Sequence, residues 1–399
     1  MTVLGILYDD ARARSWHPLT LTRPAGELLF GALTSRERAE AALGVRCIGH
    51  HGAAHLRGFD EFGCAPVLEP EAIPRDEARL FLNSRFVPDW SARFVAPGSA
   101  RAIVCAGRVA GWFAPAGTAA PAIEALESFA ARDGLELPGA FIEELWDLID
   151  PGGAQLTADL AHGPGVPPAA LSGHVHRVGP ASDLRAAPDV VFEPGVVIDV
   201  TEGPVVLDSG VRVRAFTRLA GPLKVGRETT LLGGSVSGSS IGPQCKVRGE
   251  LEASVVLGYT NKAHDGFIGH AYAGRWVNLG ALTTNSDLKN NYRPVRVWTP
   301  AGERDTGRLK VGCFLGDHVK TAIGTLLNTG TVVGPGASLF GAAMPPKYVP
   351  PFAWGGTGES RYDLERFLET AATAMARRGV VLTDGMRGVL EAAWRESAR

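Results

Sequence analysis

Between residues 188 and 342 an aliphatic residue returns at every sixth position. Leu207, Val213, Leu219, Val225 and Leu231 form one run, and Ile241, Val247 and Ala253 a second. Phe267, Ala273 and Leu279 form a third, and Leu309, Leu315, Thr321, Leu327, Val333 and Leu339 a fourth. A helix repeats every 3.6 residues and a half-buried strand every two, so a period of six fits neither. It fits a coil of triangular section whose sides are short strands, each sending one aliphatic side chain inward. Gly follows several inward positions, as at Val225-Gly226, Ile241-Gly242 and Leu315-Gly316, where corners need special backbone angles. The phasing therefore predicts a parallel β-helix of hexapeptide repeats. A β-sandwich fits less well, because its strands alternate with period two. The breaks at residues 259–266 and 285–308 are expected to be insertions, and insertions on a solenoid often carry the binding site.

The rest of the chain divides around this coil. Residues 1–170 alternate apolar runs with helical stretches, which predicts an α/β domain. Strands are expected over residues 3–8 and 79–82, and helices over 25–43 and 122–132. Residues 163–170, rich in Gly and Pro, read as a linker. The coil domain is expected over 171–342. Residues 343–399 open with a Pro-rich strap, Pro345 to Phe352, that must be extended. Helical spacing follows at Leu364, Phe367, Leu368 and Ala371, and again at Met386, Leu390 and Trp394. Strap and helices are expected to cap the open end of the coil.

Composition narrows the partners. With 21% charged residues and a formal net charge of -2, nothing points to nucleic acid or an anionic membrane. No uncharged apolar run is long enough to span a bilayer, and residues 1–8 lack the basic start of a signal peptide. The 5 cysteines are scattered and never spaced as CxxC, so they read as reduced thiols of a cytoplasmic protein.

One segment concentrates reactive residue types: Asn261-Lys262-Ala263-His264-Asp265-Gly266-Phe267-Ile268-Gly269-His270, then Asn278-Leu279-Gly280-Ala281. A protonated amine cannot attack a thioester, so N-acyl transfer needs a base that works near neutrality, and His264 is the candidate. Lys262 offers a cation for a phosphorylated sugar and Asn278 an amide for sugar hydroxyls. The backbone N–H groups of Gly280 and Ala281 offer an oxyanion site. A lone His is more often a solvated loop residue; these neighbours tip the reading toward function. A rival reading groups His264, His270 and His318 as a zinc site like that of γ-type carbonic anhydrases, with six residues stacking the first two on one face. The spacing differs from the H-x4-H of that class. Isolated acids such as Glu27 and Asp147 make no metal-ligand pattern.

Residues 262–281 resemble the acetyltransferase half of the bifunctional glucosamine-1-phosphate acetyltransferase/N-acetylglucosamine-1-phosphate uridylyltransferase family. That family carries K-A-G-H-x-x-Y-[LI]-G and N-[IL]-G-A-G-T. The resemblance implies that His264 is the general base and Asn278 a sugar contact. Phe267 stands where the family has Tyr, and Leu282 replaces its second Gly. Residues 285–292 match the family's Asn-Tyr segment more loosely and add Asn285 and Lys289 as substrate contacts. The fold so implied is a left-handed β-helix that forms a homotrimer. Acetyl-CoA then lies between neighbouring coils near residues 328–336, by Gly280, Ala281 and Asn328.

The stretch from His17 to Pro24 resembles the R-P-L-T-x-x-x-P-K segment of sugar-1-phosphate nucleotidyltransferases. Those enzymes cradle phosphates with a Gly-rich loop. Here Asp9-Asp10-Ala11-Arg12-Ala13-Arg14 occupies that place without a Gly, Ala25 replaces the Lys, and Asn83-Ser84-Arg85 falls where a metal-binding N-G-D belongs. Arg12, Arg14 and Arg23 are candidate nucleotide contacts, and Mg²⁺ is required only if this domain transfers nucleotides. The expectation is an acetyl-CoA-dependent sugar-phosphate N-acetyltransferase behind a degenerate nucleotidyltransferase-like domain. The alternatives are an active UDP- or dTDP-sugar pyrophosphorylase and a non-catalytic sugar-nucleotide-binding protein.

Overall fold

The computed structural model describes all residues except 1–2, 130, 132, 150–152, 164–165, 168–170, 172, 357–359 and 398–399. Its N-terminal domain is built on a mixed six-stranded sheet. Leu4–Tyr8 runs parallel to both Arg46–His51 and Arg79–Asn83, and every one of its residues is buried, as for a central strand covered on both faces. Arg79–Asn83 pairs antiparallel with Arg108–Ala114, which pairs antiparallel with Arg101–Cys105.

Residues 25–43 do not form the single helix expected of them. Leu29–Phe30 and Leu33–Thr34 pair as a hairpin in which Gly31 takes φ +65°, and the helix is Ser35–Leu43. Thr34 caps it and Glu37 closes the capping box, so a local start signal overrode the apolar spacing before it. The second expected helix is Ile123–Ser128. Arg132 at its expected end lies outside the described residues, as do 164–165 and 168–170 of the expected linker.

From residue 175 to 354 the chain winds as a parallel β-solenoid of about 10 turns. One face stacks nine strands, from Leu184–Ala186 to Tyr348–Val349. Leu207, Val213, Leu219, Val225 and Leu231 all point into the coil. Three phased positions do not. Ala253 takes φ +44° at a corner while Leu251 points inward, Ile268 replaces Phe267, and Leu309 is 49% exposed. The cause is a variable corner: Val205 pairs with Leu223 but Ser240 with Val255, a turn three residues shorter.

The insertion at 285–308 is present. Tyr272 pairs with Phe314 across it, and it carries the hairpin Arg296–Thr299/Gly302–Asp305. Residues 259–266 are no insertion but an ordinary turn, with Val255 pairing Tyr272. There Lys262 occupies the inward place in register with Val247, so the repeat breaks in residue type and not in chain length.

The tail differs from expectation as well. Tyr348–Val349 and Ala353–Trp354 add strands to two faces, so the strap itself forms the last turn. The helices Leu364–Ala376 and Asp384–Glu396 lie along the side of the coil. Phe367 and Leu368 pack with Phe352 and Leu21, and Met375 with Tyr259 and Trp276. Met386 and Val389 reach Leu56 and Phe59 of the N-terminal domain. The strap already forms the coil's last turn, and the apolar stripes of the helices pack along the side instead. Among the described residues no helix is long and apolar enough to cross a membrane.

The N-terminal domain docks on the nine-stranded face. Trp16, Leu19, Ala25 and Leu28 share a buried cluster with Val255, Leu257, Phe314 and Val332. The Tyr272 hydroxyl accepts from the Leu29 N–H at 2.9 Å and donates to the Leu29 carbonyl at 3.2 Å. Arg23, 1% exposed, crosses this interface with Nη2 2.8 Å from both Asp317 and Glu61. Thr22 Oγ1 donates to Asp317 at 2.7 Å, and Asp317 also accepts the Arg275 backbone N–H at 2.7 Å. Glu61 accepts the Trp276 indole N–H at 2.7 Å and lies 3.3 Å from the Arg275 guanidinium.

Deleting one partner leaves the others charged and buried, so Arg23→Met is expected to cost about 3–5 kcal/mol in denaturant titration. An unchanged midpoint would remove Arg23 from this role. Burial by itself raises the Glu61 carboxyl, but the Arg23 and Arg275 guanidiniums outweigh it and hold the group at about 2 instead of 4.5. Its stabilisation is complete above pH 4.5 and is lost as pH falls toward 2. Thermal midpoints followed through that window should fall, and fall less in Glu61→Gln; identical profiles would exclude this carboxylate as the source.

Candidate functional site

The residues expected to share one acyl-transfer site are dispersed by the coil. His264 lies at the corner between Asn261–Lys262 and Phe267–Gly269, exposed and with no hydrogen bond from its imidazole to another described residue. His270 lies at the next corner, before Tyr272–Arg275, with its Nδ1 2.8 Å from the Asp287 carboxylate. His318 lies at the third corner, after Cys313–Leu315, buried between the rings of Trp276 and Phe367. Burial, and then the nearby Lys320, hold its imidazole down at about 3. Six residues make one side of the coil and not one turn, so His264 and His270 do not stack. Three histidines at three corners of one chain cannot share a zinc ion.

Other candidates serve the scaffold. The Lys262 ammonium donates to the carbonyls of Arg248 at 2.6 Å, Gly266 at 2.8 Å and His264 at 3.2 Å. These use all three of its donors, so it has none for a phosphate. Burial lowers its pKa to about 8. Asn285 is buried and bonds Gly269 through both ends of its amide, donating to the carbonyl at 2.9 Å and accepting from the N–H at 3.0 Å. It ties one turn to the next and does not reach solvent. The Gly280 N–H donates to the Thr321 carbonyl and hydroxyl, both at 3.1 Å, so it is not free for an oxyanion. Any Cβ at Gly280 would fall 2.5 Å from the Ala322 backbone, which makes glycine a packing requirement there. The Ala281 carbonyl accepts from Gly324 in the same corner. Lys289 donates to the Pro294 carbonyl within the insertion at 2.7 Å. Asn328 is exposed and its Oδ1 accepts from the Thr329 N–H at 2.8 Å, while residues 329–337 are buried. Half-buried Phe267 packs over Gly269.

Asn278 has a different setting. Lys246, Asn261, Asn278 and Lys320 occupy equivalent outward positions on successive turns of a second face. The Asn278 Oδ1 accepts from the Asn261 amide at 2.9 Å. Over this ladder lies a cavity of about 640 Å³, roofed by the helix Leu364–Ala376 and the turn after it. The signal for the ladder was in the sequence: 246, 278 and 320 each precede an inward position of the six-residue phasing. The roof was not, because it comes from a helix far along the chain.

In the N-terminal domain the expected nucleotide contacts are taken up internally. Arg23 is the buried interface residue described above. Arg12 Nη1 lies 2.6 Å from Glu143, and Arg14 Nη1 donates to the Asp9 carbonyl at 2.6 Å and lies 3.0 Å from Glu127. Asp10 is the N-cap of the short helix Ala11–Arg14 and is held by Arg85 at 2.7 Å and the Asn83 amide at 2.9 Å. Burial raises the Asp9 carboxyl, and its Oδ2 accepts from the Ala25 N–H at 2.9 Å. A carboxylate clamped by a guanidinium and one already bonded to a backbone N–H are engaged within the domain and are not set out as a pair of Mg²⁺ ligands.

Residues 5–162 match the family described as sugar nucleotidyl transferase. A bifunctional sugar-1-phosphate nucleotidylyltransferase/acetyltransferase of Sulfurisphaera tokodaii is 28% identical over 95 residues, 24% of each chain. The bifunctional protein GlmU of Methanocaldococcus jannaschii is 31% identical over 85 residues, 21% of each chain. An uncharacterized acetyltransferase, YaiX, of Escherichia coli is 26% identical over 169 residues, 36% of this chain and 64% of that one. The matched stretches thus span about a quarter of the first two relatives' length. Residues 5–162 are thus similar to the sugar nucleotidyl transferase family, in a chain similar over part of its length to bifunctional nucleotidylyltransferase/acetyltransferases.

Proposed function

We propose that the protein is a cytoplasmic acetyl-CoA-dependent transferase that acylates a phosphorylated amino sugar and works as a homotrimer. The observation that carries this reading is the setting of His264. It is exposed, its imidazole makes no hydrogen bond to another described residue, and it shares its corner with a row of exposed apolar side chains on other turns. These are Phe216, Leu282, Ile323 and Phe340, with Phe216 83% and Ile323 78% exposed. A single chain gains nothing by presenting such a row to water, and a second copy covers it. His264 then sits at the boundary between copies.

In the reaction the sugar ammonium first gives one proton to solvent, and the free amine attacks the thioester carbonyl while His264 takes a second N–H proton. The N–C bond forms, the C–S bond breaks, and His264 passes its proton to the departing thiolate. Replacing His264 by Ala is expected to lower turnover by roughly 10²–10⁴-fold with the fold intact, read as CoA release from acetyl-CoA and glucosamine-1-phosphate. Wild-type turnover would end the assignment. Ile323→Glu places a charge in the apolar row and should convert trimer to monomer in light scattering. A wild-type monomer at micromolar concentration would refute the trimer.

A second reading, nucleotidyl transfer in residues 5–162, is favoured by the family match. Against it, Arg12, Arg14 and Asp10 are already paired within the domain. Pyrophosphate release without CoA release, followed side by side in one assay, would favour it.

A further inference from the structure

The cavity over the ladder face is built for an anion. Two of its cations, Lys246 and Lys320, come from the coil, and two, Arg377 and Arg378, follow the helix that roofs it. Glu369 is the one carboxylate in its lining. None of the four cations makes an ion pair or a side-chain hydrogen bond among the described residues. Cations buried elsewhere have partners: Arg23 lies against Asp317 and Glu61, Arg38 against Asp159 and Arg275 against Glu61, while Arg79 and Lys262 donate to backbone carbonyls. Four like charges facing one space repel each other, and the chain as a whole carries a formal net charge of -2, so no general basic excess explains the cluster.

The polar groups between the cations are arranged along a line. Turns stack at about 4.8 Å, so Lys246 and Lys320 stand about 14 Å apart along the axis. Between them the Asn261–Asn278 bond uses one donor and one acceptor, leaving the Asn278 NH₂ and the Asn261 carbonyl oxygen for hydroxyl groups. Tyr259 and Trp276, stacked at 4.3 Å, wall the cavity at the corner. A volume of about 640 Å³ suits a ligand larger than inorganic phosphate.

We propose that this cavity binds a nucleotide ligand bearing a diphosphate, with Lys320 and Arg377 on its phosphoryl oxygens and the Asn261–Asn278 pair on its hydroxyls. Lys320 is the central contact. Burial lowers its pKa to about 8, and no described carboxylate pairs with it. A nucleoside-diphosphate sugar and coenzyme A share this chemistry. The site does not rest on acyl transfer at His264, which lies at a different corner.

Isothermal titration calorimetry of the full chain with UDP-glucose, coenzyme A and inorganic pyrophosphate tests it without any turnover. Micromolar binding of UDP-glucose or coenzyme A is expected, and the tighter of the two identifies the source. Binding should weaken about tenfold or more in Lys320→Met, where a charged hydrogen bond is lost, and likewise in Arg377→Ala. Arg377 is exposed on the roof, so its variant tests the site even if Lys320→Met disturbs the coil. Absence of binding by both nucleotides, or equal affinity in wild type and Arg377→Ala, would overturn the proposal.

Discussion

Arg23 joins the two halves of this protein. Its guanidinium is out of water, and its two carboxylate partners come from opposite sides of the interface, Glu61 from the N-terminal domain and Asp317 from the coil. A buried charge tolerates little displacement, because each lost contact leaves an uncompensated ion in a medium of low polarity. The apolar cluster around Trp16, Phe314 and Val332 provides area but no register, whereas the ion cluster specifies one docking position. The C-terminal helices then pack where both halves are already in place, against Leu21, Leu56 and Phe352. The cavity over the ladder face owes its roof to that packing.

The coil shows why residue types alone mislead about chemistry. Lys262, Asn285 and Gly280 sit in or near the segment that resembles an acyltransferase signature, and all three are committed to holding turns together. A lysine at an inward position must have its ammonium satisfied, and three carbonyls at one corner do so. An asparagine between turns replaces a pair of backbone hydrogen bonds. Such groups preserve the shape of the corner at which His264 stands, and they contribute to a site through geometry more than through contact.

Much of the architecture was legible beforehand. The run from Leu207 to Leu231 announced a triangular coil, since no other common structure sends every sixth residue inward. The strand before Asp9 and the helical spacing from Leu364 were equally plain. Errors arose where corners change length, as at Ala253 and Phe267, and where a cap intervenes, as at Thr34. The site was less legible. Arg23 is a buried strut that resembles a phosphate contact in a motif, and only its surroundings distinguish the two.

By itself the sequence determined the repeat, the α/β start and the helical tail. Each of these is a short-range pattern, expressed by neighbours a few positions apart. The tertiary structure decided which cations are spent and which are free. Arg23 meets Asp317 across a separation of 294 residues, while Lys320 and Arg377 meet no carboxylate among the described residues. Whether a charge is paired depends on what the fold brings within a few ångströms, and distance along the chain carries no such information.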